Sequence, residues 1–120
     1  MSADLVPVVE RLRKAASGLA GIEEGTSYGT PALKVRRKFL CRVKDADTIV
    51  LTCPLDEKEL LMSAAPDIYF ETDHYRGWPA VLVRLGEISD EELRHRLARA
   101  WKTQAPKHLV ATAGKPANRA

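Results

Sequence analysis

A chain of 120 residues, 45% hydrophobic and 29% charged, can bury one core and is too short for a second domain. Its net charge of +3 is too small by itself to mark a polyanion-binding protein. No apolar run approaches the roughly 18 residues of a membrane helix, and MSADLVPVVERL lacks the basic-then-apolar pattern of a signal peptide, so a cytoplasmic location is expected.

From Leu5 to about Ala20, apolar residues recur at helical spacing through Val8, Leu12, Ala15 and Leu19. Asp4 can cap this helix, Pro7 fits its first turn, and Gly21 ends it. Gly25, Gly29 and Pro31 then leave room for at most a short edge strand over Thr26–Tyr28. Residues 32–35, 39–44 and 48–53 form a meander, with turns at 36–38 and 45–47. Alternation places Phe39, Cys41 and Val43 on the inner face with Ile49, Leu51 and Cys53. Lys38, Leu40, Arg42 and Lys44 take the outer face with Val50 and Thr52.

LDEKELLMSAA reads as a short helix with Leu60, Leu61 and Ala64 as its buried edge. Strands are expected over 68–71 and 80–85, with Val81, Val83 and Leu85 toward the helices and Leu82 and Arg84 away from them. Ser89 followed by Glu92 is a capping box that opens a long helix with Leu93, Leu97, Ala100 and Trp101 as its stripe. Pro106 stops regular helix, and a flexible tail is expected over 112–120, after one domain spanning 1–111. The fold class is α+β: one antiparallel sheet with two long helices on one face and the other face open.

The stretches EEGTSYGTPALKV (23–35), RKFLCRV (37–43), TDHYRGWPAVLVRL (72–85) and ISDEELRHRLARAWKTQAPKHLV (88–110) resemble the MmcQ/YjbR family. The resemblance implies a frataxin-like (CyaY-like) fold of the double-wing type. It also implies the DNA-binding role commonly ascribed to these small bacterial proteins. Two positions depart from the family pattern. Arg37 stands where many members have glycine in the first hairpin turn, and Gly77-Trp78 replaces a His-Trp pair.

Charge distribution agrees with a nucleic-acid partner better than the total does. Residues 22–53 carry six basic and four acidic side chains, whereas residues 54–73 carry one and six. Lys34, Arg36, Arg37, Lys38, Arg42, Lys44 and Arg84 are the candidate contacts to the phosphates of double-stranded DNA, held by charge without base reading. The alternative for this run is the wet side of an ordinary hairpin, where basic residues deter edge aggregation.

A second candidate is the loop His74, Tyr75, Arg76 and Trp78, which could clamp a small anion or nucleotide or plug the core end. A third is an interaction surface for a basic protein, built from Asp56, Glu57, Glu59, Asp67, Glu71 and Asp73. Tyr28 and Tyr69 read as core-edge packing, and Cys41 and Cys53 as buried thiols, with a Cys41–His74 couple left open. No nucleophile elbow, phosphate loop or HExxH stands in the chain. Neither catalysis nor a cofactor or metal is therefore expected, and the chain is expected to be a monomer. Asp4 and Glu10 among Arg11, Arg13 and Lys14 do not make the acidic ridge that iron loading requires.

Overall fold

The computed structural model describes residues 5–113. Helix α1 (Val6–Ala15) leads into strands β1 (Ile22–Ser27), β2 (Thr30–Val35), β3 (Lys38–Asp45) and β4 (Thr48–Thr52). Helix α2 (Leu55–Ala64), strand β5 (Tyr69–Phe70), a 3-10 turn (Asp73–Tyr75) and strand β6 (Ala80–Arg84) follow. Helices α3 (Asp90–Gln104) and α4 (Lys107–Ala113) close the order. The six strands are all antiparallel, in the order β1-β2-β3-β4-β6-β5.

The α+β class and the helix-covered face stand as expected. Val8, Leu12 and Ala15 of α1 and Leu93, Leu97, Ala100 and Trp101 of α3 bury against Leu33, Val35, Cys41, Ile49, Leu51, Val81 and Val83. The Ser89 hydroxyl accepts the Glu92 N–H at 3.0 Å, so the capping box forms. Among the described residues, no helix is long and apolar enough to cross a membrane.

Several boundaries move. The first helix ends at Ala15, because Gly18 adopts φ +93° and turns the chain before Gly21. The proposed capping residue Asp4 lies outside the described residues. β1 is a full six-residue edge strand, and Tyr28 belongs to the turn after it. Pro106 breaks α3 as expected, but α4 begins right behind it. Of the tail expected over 112–120, residues 114–120 lie outside the described residues, and 112–113 end α4. In α2 the buried residue is Lys58; Leu60 is 70% exposed.

Two bulges alter which side chains share a face. Leu33 pairs with Cys41 and Lys34 with Phe39, so Leu40 is an extra residue in β3. Leu40 therefore enters the core beside Cys41, while Phe39 lies on the open face with Val50, Leu82 and Phe70. This reverses the sequence expectation for both residues. Lys38, paired with Val35, falls on the helix side of the sheet. Lys44 is the extra residue of a second bulge between Val43 and Asp45.

The β2–β3 turn consists of Arg36 (φ +50°) and Arg37 (φ +73°), both left-handed, as a two-residue type I′ hairpin requires. Asn-Gly meets that geometry at less cost than two arginines. Replacing Arg36→Asn and Arg37→Gly together should raise stability by about 1 kcal/mol, read as a higher urea midpoint at unchanged slope.

Candidate functional site

The open face divides into two parts. Over β4 and β6 the segment after β5 folds back across it, whereas β3 meets that segment only at its edge, through Phe39 and Arg42. Tyr75 packs on Val50, Ala80 and Leu82, with Phe39 and Phe70 at the margin. The segment closes on itself through a Trp78 N–H to Tyr75 carbonyl bond of 2.9 Å. Arg76 (φ −62°, ψ 127°) and Gly77 (φ +80°) make that a type II turn, so glycine is the favoured residue at 77.

Lys58 anchors the segment. It is 1% exposed, and its ammonium donates to the Tyr75 carbonyl at 2.8 Å and the Trp78 carbonyl at 2.9 Å. The Glu71 carboxylate stands 2.8 Å from the same nitrogen, so all three N–H groups have an acceptor.

Between this segment and the β1–β2 turn lies a cavity of about 360 Å³. Tyr28 and Trp78 border it, Phe39, Val50 and Ala80 line it, and His74, Tyr75 and Gln104 complete the wall. His74 stacks near Trp78 (6.1 Å, 18°), and Tyr75 meets both rings nearly edge-on. Arg42 spans the cavity: it donates to the Tyr75 hydroxyl at 3.0 Å, and its guanidinium carbon lies 5.3 Å from the Tyr28 ring centroid. Tyr28 is thus 85% exposed on the rim, which corrects its reading as core-edge packing. Tyr69 does pack in the core, and its hydroxyl donates to the Glu92 carboxylate.

Of the loop residues, His74, Tyr75 and Trp78 come together on the cavity. Arg76 does not; it pairs with Asp73 at 2.6 Å and reaches toward Glu71. Cys41 lies on the helix side of the sheet and His74 over the other, so they form no couple. Desolvation pushes the Cys41 thiol up to about 12, and burial with the nearby Glu57 carboxylate takes Cys53 to about 11. Neither is an activated nucleophile. A larger cavity of about 590 Å³ opens between α1 and the start of α3. Its Arg11 is already engaged by the Leu85 and Ile88 carbonyls and by Asp90.

The seven basic candidates do not form one patch. Arg42 is tied into the cavity, and Arg84 lies 3.9 Å over the Phe70 ring while donating to the Pro66 and Asp67 carbonyls. Lys44 sits at the far end of β3, six residues or roughly 20 Å from Lys38. Lys34, Arg36, Arg37 and Lys38 remain together around the hairpin tip, with Lys34 on the open face and Lys38 on the helix side. Among the described residues, no side-chain nitrogen of these four lies within 4.0 Å of a carboxylate. The Glu23 carboxylate instead accepts the Arg37 backbone N–H at 3.1 Å and braces the turn.

Three of the six acidic candidates are neutralised within the chain. Glu57 holds Arg96 at 2.8 Å and Arg99 at 2.7 Å, Glu71 holds Lys58, and Asp73 holds Arg76. Glu59 and Asp67 are exposed, as is Asp56, which accepts the Glu57 N–H. Among the described residues, no group of three or more His, Cys, Asp or Glu is placed to hold a metal ion.

These features define a small α+β protein with helices on one sheet face and an aromatic-rimmed cavity beside a basic hairpin on the other. A family model described as YjbR matches residues 17–103, and the chain belongs to that family. Three curated relatives match with 49% identity over 53 residues. They are the uncharacterized proteins Mb2600 of Mycobacterium bovis and MT2646 and Rv2570 of two Mycobacterium tuberculosis strains. The match takes in 44% of this chain and only 41% of each relative. The crystal structure of Deinococcus radiodurans protein DR2400, with domain DUF419, has the same fold. It superposes with a TM-score of 0.69 at 20% identity, covering 90% of this chain and 88% of that one.

Three outcomes follow from the ion pairs. Lys58→Met leaves the Glu71 carboxylate and two carbonyls without their donor and should cost about 2–4 kcal/mol in urea unfolding. Glu71→Gln should cost about 1 kcal/mol, since a neutral amide still accepts. The hydrogen bond from Arg99 holds the Glu57 carboxyl below its ordinary value of 4.5. A lowered folded-state value adds stability above the unfolded value, and that stability is lost as pH falls through the folded one. Glu57→Gln should therefore flatten the pH dependence of stability below about 4.5 and leave its shape near neutrality unchanged.

Proposed function

We propose that the protein binds duplex DNA weakly and without sequence preference, through the β2–β3 hairpin. One contrast carries the reading. Arg11, Arg13, Arg76, Arg96 and Arg99 each lie within 4.0 Å of a carboxylate. The cations at the hairpin tip have no such partner among the described residues, and Arg36, Arg37 and Lys38 are exposed. Five arginines are thus neutralised within the chain, whereas the hairpin cations stay available for an external anion.

The contact set is narrower than composition suggests. Arg42 and Arg84 are engaged elsewhere and Lys44 is distant, which leaves Lys34, Arg36, Arg37 and Lys38. Family membership is compatible with this reading and does not carry it, because a fold hosts many functions. Contacts by charge alone carry no sequence information, so base discrimination is not part of the proposal.

Four phosphate contacts give a slope of log K against log salt of about −3.6, with a dissociation constant on the order of 1–100 μM at physiological salt. Fluorescence anisotropy with a labelled duplex of about 20 base pairs, several hairpin widths long, measures both quantities. The Arg36→Glu/Arg37→Glu chain should show no binding. Retained binding in that chain, or a wild-type slope near zero, would move the contact away from the hairpin.

A further inference from the structure

We infer that the cavity on the open sheet face is a binding site for a flat heteroaromatic ring of the nucleobase class. The exposed large aromatics among the described residues are Tyr28, at 85%, and Trp78, at 55%, and both border this one cavity. Isolated apolar side chains on a surface need no explanation, but two aromatic rings flanking one concave space form a stacking slot. Its volume of about 360 Å³ falls in the range of small-molecule sites.

The rims are held in place from both sides. Trp78 follows a turn whose carbonyls are bound by the buried Lys58 ammonium. Tyr28 stands in a type I′ turn at φ +53°, where asparagine or glycine would be the less costly residue. A tyrosine kept in that conformation and left in water is unfavourable in the free protein and useful to a ring that stacks on it.

The polar groups limit the ligand further. Arg42 uses one nitrogen on Tyr75 and makes a long 3.4 Å contact to Thr30, which leaves further N–H donors of its five. Gln104 donates to the Phe39 carbonyl at 2.9 Å, and its amide oxygen remains an acceptor. A donor and an acceptor lining one cavity match the mixed edge of a nucleobase. Among the described residues no carboxylate lines the cavity, and Lys34 is the cross-strand neighbour of Phe39 on the same face, so an attached phosphate is tolerated. The ring can come from a free nucleotide or from an unpaired base in a single strand.

The ring-binding residues differ from those of the hairpin contact, Lys34 alone being common to both, and a test with mononucleotide can fail or succeed independently of duplex binding. Trp78 emission would be titrated with AMP, with a short single-stranded oligonucleotide and with ribose phosphate; Trp101 is 2% exposed and acts as a constant background. AMP or the single strand should quench, and ribose phosphate should not. Quenching by AMP identifies a free-nucleotide site, and quenching by the strand alone identifies an unpaired-base site. Tyr28→Ala, at a position too exposed to unfold the chain, should weaken binding roughly ten- to hundredfold. No quenching by either ring-bearing ligand at millimolar concentration, equal quenching by ribose phosphate, or unchanged affinity in Tyr28→Ala would each overturn the assignment.

Discussion

The buried ammonium of Lys58 is the constraint on which the open face depends. Removing a charge from water costs several kcal/mol, and only a complete set of acceptors offsets it. Those acceptors are Glu71 and the carbonyls of Tyr75 and Trp78, which lie at both ends of one short segment. Any displacement of that segment strands the charge, so the segment has one low-energy position. The consequence is that Tyr75 lies on the sheet and Trp78 stands at the cavity edge.

The two bulges in β3 do the corresponding work from below. Without the extra residue at Leu40, strict alternation would bury Phe39 and expose Leu40. The bulge sends both Leu40 and Cys41 into the core and leaves Phe39 to line the cavity next to Arg42. A one-residue insertion thus converts a fully buried aromatic into a wall of the candidate site. The second bulge makes Lys44 the extra residue between Val43 and Asp45, at the opposite end of β3 from the hairpin tip.

Much of the architecture was legible because it rests on local chemistry. The Ser89–Glu92 capping box, the α3 stripe, the strands of the meander and the resemblance over 23–110 all pointed to the observed sheet and helices. The bulge was not legible, since Phe39-Leu40-Cys41 is apolar at every position and gives alternation no polar residue to mark the slip. Lys58 was hidden for a related reason. Periodicity assumes that apolar residues are the buried ones, and here α2 exposes Leu60 and buries a lysine whose partners are distant in sequence. Tyr28 was the missed site residue; its place before Gly29, in a sequence that pairs Ser27 with Thr30, was the available signal. Among the loop residues, composition alone points to His74, Tyr75 and Trp78, and they do meet at the cavity.

Charge and shape on the open face have different origins. The hairpin cations owe their availability to what the rest of the chain does not offer them, since Glu57, Glu71 and Asp73 are already engaged by Arg96, Arg99, Lys58 and Arg76. Their attraction for an anion would be long-ranged, weakened by salt and indifferent to shape. The cavity is the opposite case: short-ranged, little affected by salt and selective for a flat ring. Phe39 follows Lys38 directly in β3, with Lys34 across from it, so the two properties adjoin and have Lys34 in common. A ligand carrying both a phosphate and an exposed base would meet them in turn, first by charge and then by stacking. A duplex, with its bases paired, would meet only the first.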